Sequence, residues 1–308
     1  MLTFPSLPFP SSLTSNRRLF AMSSQHSLSL AGKHAFVSGG SRGIGAQVAK
    51  ALAAQGASVV IGYASRKDAA LEVANAIKQA DGSASAHVVG GEVSSAAGAH
   101  AVAKEVLSET GGALDILIVA SGAMSFKTIQ ELTQEDWDKH IAANITGACR
   151  HTLLDRIYAC LADAALLLPC LGPLFLVQAL LPSIRTDGRI ILFSTSLCVQ
   201  PTAITPGYLP YLASKGALEQ TVRILARDPS ITGPERRLTV NAVAPGPVNT
   251  ELFTQDKSQE LINRIAGSVP QNRIGEVDDI VGPTLYLASS QAAWVNGQVL
   301  RVNGGMTN

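Results

Sequence analysis

From Leu30 onward, short and almost wholly apolar runs alternate with longer segments of helical period, a pattern that a parallel sheet wrapped in helices satisfies. The runs His34–Ser38, Ser58–Tyr63, Ala86–Val89, Leu114–Ala120, Ile190–Ser194 and Leu238–Ala244 read as strands. Ala46–Gln55, Ala69–Ala80, Ala99–Thr110 and Ser214–Ala226 read as helices between them. Strands without polar alternation are buried on both faces, so helices must cover the sheet on each side. The expected fold class is α/β, with a single doubly wound parallel sheet. A chain of 308 residues, 46% hydrophobic and 15% charged, can bury a core of that size.

Charge and cysteine usage narrow the function. Twenty-four basic residues against 23 acidic give a net charge of +1, so no basic footprint for nucleic acid is expected. Cys149, Cys160, Cys170 and Cys198 form no CxxC pair and no disulfide framework, so no metal site is expected either. Residues 1–29 stand apart from the α/β pattern: rich in Ser, Phe and Leu, with Arg17 and Arg18 adjacent and no acidic residue. They read as a disordered leader or a mis-started N-terminus with Met22 as the working start. The other reading is an organelle transit peptide. A cytoplasmic location is expected, or a mitochondrial one if residues 1–21 serve as a transit peptide. The domain proper is 30–308.

One segment, 148–172, breaks the rhythm. It holds three of the four cysteines and Pro169, and separates "NITG" (Asn144–Gly147) from "PLFLVQALLPSIR" (Pro173–Arg185). Ala164–Ile184 carries no charge and is long enough to span a bilayer. Pro169, Pro173 and Pro182 within it, and the α/β pattern around it, argue against a membrane span.

The first strand runs into Ser38-Gly39-Gly40-Ser41-Arg42-Gly43-Ile44-Gly45 and then a helix. Glycines there let the backbone turn sharply and approach a pyrophosphate, to which a helix N-terminus offers unpaired N–H groups. The spacing is GxxxGxG rather than the usual GxGxxG, yet the strand–turn–helix setting is that of a Rossmann fold. After the second strand the chain reads Ile61-Gly62-Tyr63-Ala64-Ser65-Arg66-Lys67. No acidic residue stands there to bind ribose hydroxyls, as NAD-binding chains use. Ser65 and Arg66, with Arg42 from the glycine turn, can instead donate to a 2′-phosphate, which points to NADP(H).

Tyr211 and Lys215 lie at i and i+4 of a helix, on one face. A nearby ammonium favours phenolate and would lower the tyrosine pKa toward a range useful for proton transfer. Tyr208 competes as the acid, but Leu212 occupies its i+4 position. Ser194-Thr195-Ser196 ends the preceding strand and offers a hydroxyl to orient a carbonyl.

Together, "SGGSRGIG", "NITG", a serine before "YLASK", "NAVAPGPVNT" and the closing "WVNGQVLRVNGG" resemble the classical short-chain dehydrogenase/reductase family. Among its subgroups the chain looks most like fungal 3-oxoacyl-carrier-protein-reductase-like and polyhydroxynaphthalene-reductase-like enzymes. The resemblance implies hydride transfer between NADP(H) and a small ketone or secondary alcohol, by a homodimer or homotetramer. It implies catalytic roles for Asn144, a serine, Tyr211 and Lys215, with Asn144 holding a water in the proton relay. Lys215 would also bond the nicotinamide ribose. Gly39, Ser41, Arg42, Gly43, Ile44, Gly45, Ser65 and Arg66 would hold the phosphates. Glu92 would contact the adenine, Pro245, Gly246, Val248 and Thr250 would flank the nicotinamide, and Val93, Ser121 and Gly122 would also bind the cofactor.

The chain departs from the family's pattern in several places. Val119-Ala120-Ser121-Gly122 stands where the family has Asn-Asn-Ala-Gly, losing amides that brace the sheet, and Glu92 replaces an Asp. Counting from the strand start makes Thr195 the orienting hydroxyl, whereas residue type and proximity favour Ser196; Ser196 is the expectation. Removing 148–172 joins "NITG" to "PLFLVQALLPSIR" as one amphipathic helix, as if the segment were an in-frame retained intron; a real helical insertion is the rival reading. The altered segment and the insertion also leave open a cofactor-binding partner or regulatory subunit without catalysis. Leu252, Phe253, Leu261 and Ile262 would form an apolar lid over a medium-sized carbonyl compound.

Overall fold

Each of the six runs read as strands lies in one sheet. The computed structural model describes residues 28–82, 84–124, 126–144, 172–200, 205–255 and 257–307. The leader up to residue 27 and the segment 148–171 lie outside the described residues, and so do the readings made of them. Among the described residues, β1 (His34–Ser38), β2 (Ser58–Tyr63), β3 (Ala86–Gly90), β4 (Leu114–Val119), β5 (Ile184–Phe193), β6 (Thr239–Pro245) and β7 (Val299–Val302) form one sheet ordered β3-β2-β1-β4-β5-β6-β7. Every pairing is parallel.

The α-helices among the described residues are α1 (Gly43–Ala54), α2 (Lys67–Ala80), α3 (Ala96–Glu109), α4 (Gln134–Asn144), α5 (Gly172–Leu180), α6 (Leu209–Leu225), α7 (Pro229–Thr232), α8 (Glu251–Thr254), α9 (Gln259–Gly267) and α10 (Val277–Ala288). Two apolar clusters show why the strands read as continuous runs. Val37, Ile116 and Ile118 pack on one face with Val48 and Leu52 of α1, Val73 of α2 and Ile280 of α10. Their chain neighbours Phe36 and Leu117 pack on the other with Val106 of α3, Leu176 and Leu180 of α5, and Leu218 of α6. Burying each such side chain stabilises the fold by roughly 1.5–3 kcal/mol.

Boundaries differ from the sequence reading where polar residues lie inside an element. β5 starts at Ile184 rather than Ile190: Ile184 already pairs with Leu114 of β4, and the exposed Arg185-Thr186-Asp187 bulge out before pairing resumes at Arg189. α3 starts at Ala96, capped by Ser95 Oγ, which accepts from Gly98 N at 3.0 Å. α6 begins at Leu209, so Tyr211 is already helical. The described part of the uncharged stretch forms α5, a 3₁₀ turn at Leu181–Ser183 and the start of β5. No helix among the described residues is long and apolar enough to cross a membrane.

β1 leads outward to β2 and β3, whereas β4 lies on its other side. The connections therefore diverge at the carboxyl ends of β1 and β4, the place where open α/β sheets form a crevice. Ser38 Oγ and Ser121 Oγ meet across this point at 3.0 Å, and Ala120 N donates to Ser38 O at 3.1 Å. This hydroxyl pair braces the segment that lacks the family's asparagines.

Candidate active site

Two clefts open side by side at the carboxyl ends of the strands. The first, about 320 Å³, is lined by Gly39, Ser41 to Gly45, Tyr63 to Arg66, Gly91 to Ser94, Ala120 to Gly122 and Thr250 to Leu252. The second, about 260 Å³, is lined by Gly122 to Met124, Asn144, Phe193 to Leu197, Tyr208, Tyr211, Lys215, Pro245 to Val248, Thr250, Leu252, Phe253 and Ile265. Ile44, Ala120, Gly122, Thr250 and Leu252 line both, so the two form one continuous trough.

The first cleft has the build of a dinucleotide site. Gly39 turns the chain with φ +67°, and a Cβ there would lie 2.7 Å from Ser121 N. Gly45 is equally closed, since a Cβ would strike the Gly39 carbonyl. Only a backbone stripped of side chains can bring α1 this close to the end of β4 and leave its first-turn N–H groups facing the trough. At the far end the Arg42 and Arg66 guanidinium groups converge on one carboxylate, Glu251, at 3.0 and 3.3 Å. Two converging guanidinium groups fit a phosphate, and the carboxylate stands where such an anion would sit. The residues present therefore fit a 2′-phosphorylated dinucleotide. Glu92 is exposed on the rim, its Oε1 accepting from Ser94 N at 3.1 Å, and Val93 lines the cleft beside it.

The three candidate hydroxyls after β5 separate cleanly. Thr195 is extended (φ −150°, ψ 142°), so its neighbours point away from it. Ser194 Oγ donates to buried Glu219 at 2.8 Å. Ser196 Oγ, 1% exposed, donates to Ala244 O at 2.8 Å and accepts from Asn303 Nδ2 at 3.1 Å. The Thr195 hydroxyl is hydrogen-bonded to Tyr211 and accepts from Leu197 N at 3.3 Å. Of the two candidates, alternation along the extended chain thus turns Ser196 into the scaffold and leaves Thr195 facing Tyr211.

Lys215 lines the second cleft and is anchored to the backbone there. Its Nζ is buried and donates to the Phe193 carbonyl at 2.8 Å, tying α6 to the end of β5. Burial lowers the ammonium to about 8. Burial also pushes the Tyr211 phenol up to about 12, against the opposing pull of the Thr195 bond. The lowered phenol expected from the i,i+4 spacing is therefore not found, because desolvation outweighs the favourable contacts. Tyr208, also raised by burial, stands with its ring 6.5 Å from Tyr211 and edge-on to Phe126 at 4.8 Å.

Asn144, fully buried, ends α4 and spends its amide on the Ala123 backbone. Pro245, Gly246, Val248 and Thr250 line the second cleft. Of the four expected lid residues, Leu252 and Phe253 line it; Leu261 and Ile262 do not, and Ile265 one turn of α9 further on does. Sequence reasoning missed Glu251 and Ala123. Neither carries a local signal: Glu251 meets partners 185 and 209 positions away.

Similarity to known proteins follows the same lines. Residues 33–154 match the family model described as short chain dehydrogenase, and residues 161–307 that described as enoyl-(acyl carrier protein) reductase. The chain is 35% identical over 291 residues to an NADPH-dependent aldehyde reductase-like protein, chloroplastic, of Arabidopsis thaliana, covering 92% of this chain and 97% of that one. It is 32% identical over 286 residues to elsinochrome reductase 1 of Elsinoe fawcettii, covering 89% and 94%. A solved short chain dehydrogenase from Burkholderia cenocepacia J2315 in complex with NADP superposes with a TM-score of 0.74 at 27% identity, covering 90% and 98%.

Proposed function

Because the chain belongs to the short-chain dehydrogenase/reductase family, we propose that it is an NADP(H)-dependent oxidoreductase that interconverts a ketone and a secondary alcohol. The observation that carries this reading is the meeting of the Thr195 hydroxyl, the Tyr211 phenol and Lys215 in a cleft continuous with the glycine-lined one. The NADP-bound neighbour and the NADPH-dependent relative support the choice of cofactor.

Bound in the trough, the nicotinamide supplies or accepts the hydride. Gly39, Ser41, Gly43, Ile44 and Gly45 hold the pyrophosphate against the α1 N-terminus. Arg42, Ser65 and Arg66 hold the 2′-phosphate, Glu92 and Val93 flank the adenine, and Ser121, Gly122, Pro245, Gly246, Val248 and Thr250 flank the nicotinamide. In the reducing direction Tyr211 gives its proton to the carbonyl oxygen. A phenol raised to about 12 is fully protonated at neutral pH, which suits an acid. Thr195 donates to the same oxygen and orients it. Lys215 sets positive charge beside the phenolate that remains, and Asn144 holds the wall at Ala123. Tyr208, Leu252, Phe253 and Ile265 make the second cleft largely apolar, so its substrate is a medium-sized, mainly apolar carbonyl compound. A homo-oligomer, dimer or tetramer, is part of the proposal and follows from the family alone.

Turnover of an activated diketone with NADPH or NADH tests the reading. Tyr211→Phe should lower kcat by about 10²–10⁴-fold while NADPH affinity stays unchanged. Full activity in that variant refutes the assignment. A wild-type chain that binds NADPH yet turns over no carbonyl would favour a cofactor-binding partner or regulatory subunit.

A further inference from the structure

Arg42 Nη1 lies 3.0 Å from Glu251 Oε2, and Arg66 Nη2 lies 3.3 Å from Glu251 Oε1. The three residues come from three segments: the glycine turn before α1, the turn after β2, and the first residue of α8. All three line the first cleft, so the ion pairs bridge its mouth rather than decorate one wall. Their side chains are 48%, 55% and 49% exposed, within reach of an incoming anion. The hydrogen bond from Arg42 and the charge of Arg66 hold the Glu251 carboxyl below its usual range, so it is ionised at neutral pH.

We propose that Glu251 is a specificity gate: its carboxylate occupies the anion site formed by Arg42 and Arg66, and a 2′-phosphorylated dinucleotide binds by displacing it. The inference rests on the reading that these arginines take the 2′-phosphate. A phosphate monoester offers more charge and more acceptor oxygens than a carboxylate, so it wins the exchange. Its affinity is nevertheless reduced by the pairs it must break, because exposed ion pairs are weak but not negligible. A bare 2′-hydroxyl cannot displace an ionised carboxylate; it donates to it, and Glu251 stays in place.

The displacement also reaches the second cleft. Leu252 and Phe253 follow Glu251 in α8 and line the substrate cleft, and Thr250 lines both clefts. Thr250 Oγ1 caps α8 by accepting from Phe253 N at 3.2 Å. Freeing Glu251 therefore loosens a short helix whose next residues form the substrate wall, linking the identity of the bound cofactor to the shape of that wall.

Glu251→Gln keeps the size of the side chain and removes its charge. NADPH and 2′,5′-ADP should each bind this variant about 3- to 10-fold more tightly than wild type, with NADH and 5′-AMP changed by less than about twofold. The gain should vanish when Arg42 and Arg66 are both replaced by Ala. In the wild-type chain, amides of residues 251–255 should exchange hydrogen faster with 2′,5′-ADP bound than with 5′-AMP. An unchanged NADPH affinity, or an equal gain for NADPH and NADH, overturns the gate. The underlying reading fails separately, if Arg42→Ala and Arg66→Ala weaken NADPH and NADH alike. If those variants lose NADPH selectively while Glu251→Gln is silent, only the gate is lost.

Discussion

Asn144 grips the backbone of Ala123 with both ends of its amide: Oδ1 accepts from Ala123 N at 3.0 Å and Nδ2 donates to Ala123 O at 2.8 Å. Between this pair and Lys215 the chain passes with no room to spare. A Cβ on Gly122 would lie 2.8 Å from Asn144 Oδ1 and 3.3 Å from Lys215 Nζ. The end of α4 thus sets the height of the loop after β4, and that loop walls both clefts.

Asn144→Ala should cost stability as well as activity. It removes both hydrogen bonds of a fully buried side chain, each worth about 0.5–1.5 kcal/mol net. Thermal unfolding should show a lower Tm, and cofactor affinity should fall together with kcat. A loss of kcat at unchanged Tm and unchanged cofactor affinity would instead assign the side chain to the proton relay.

Thr195 and Ser196 should respond in opposite ways to loss of the hydroxyl. Thr195→Val removes a donor aimed at the reacting oxygen and should lower kcat by about 10²–10³-fold, with little change in Tm. Thr195→Ser should restore most of the activity. Ser196→Ala should lower Tm, because the Ala244 carbonyl loses its donor and Asn303 an acceptor, while kcat changes little. Steady-state kinetics with melting curves on the three variants decides it; inactivity confined to Ser196→Ala would reinstate the serine.

The pH profile of reduction should be governed by Lys215. Burial leaves its ammonium titrating near 8 while Tyr211, near 12, stays protonated throughout the working range. As pH rises through about 8 the ammonium is lost, and the phenolate left by proton transfer loses its cation. The kcat/KM for carbonyl reduction, which reports the free enzyme, should therefore decline above that pH. Lys215→Met should give a low rate with no such limb. A wild-type profile level from about pH 7 to 10 would remove Lys215 from this role.

Much of the architecture was legible before folding was considered, for reasons local to the chain. A strand buried on both faces is apolar at successive positions, so Val37 and Phe36, which face opposite helices, announce β1 equally. The glycine turn was legible because a backbone that closely approached admits no Cβ. Tyr211 and Lys215 were legible because helical spacing alone puts them on one face. The first half of β5 was not, since Arg185-Thr186-Asp187 are exposed and bulge out between the β4 pairings of Ile184 and Arg189.

By itself, then, the sequence determined what depends on period and on steric bulk: the doubly wound sheet, the glycine-lined cleft, and the phenol and ammonium of α6. Only the tertiary structure decided which hydroxyl faces that phenol, because Ser196 is claimed by Ala244 and Asn303, 48 and 107 positions away. It likewise decided that desolvation, and not the neighbouring lysine, dominates the phenol, since burial is a property of the packed whole. The bridge from Glu251 to Arg42 and Arg66 belongs to the same class: its geometry exists only once β1, β2 and β6 lie in one sheet and bring three distant turns to one rim.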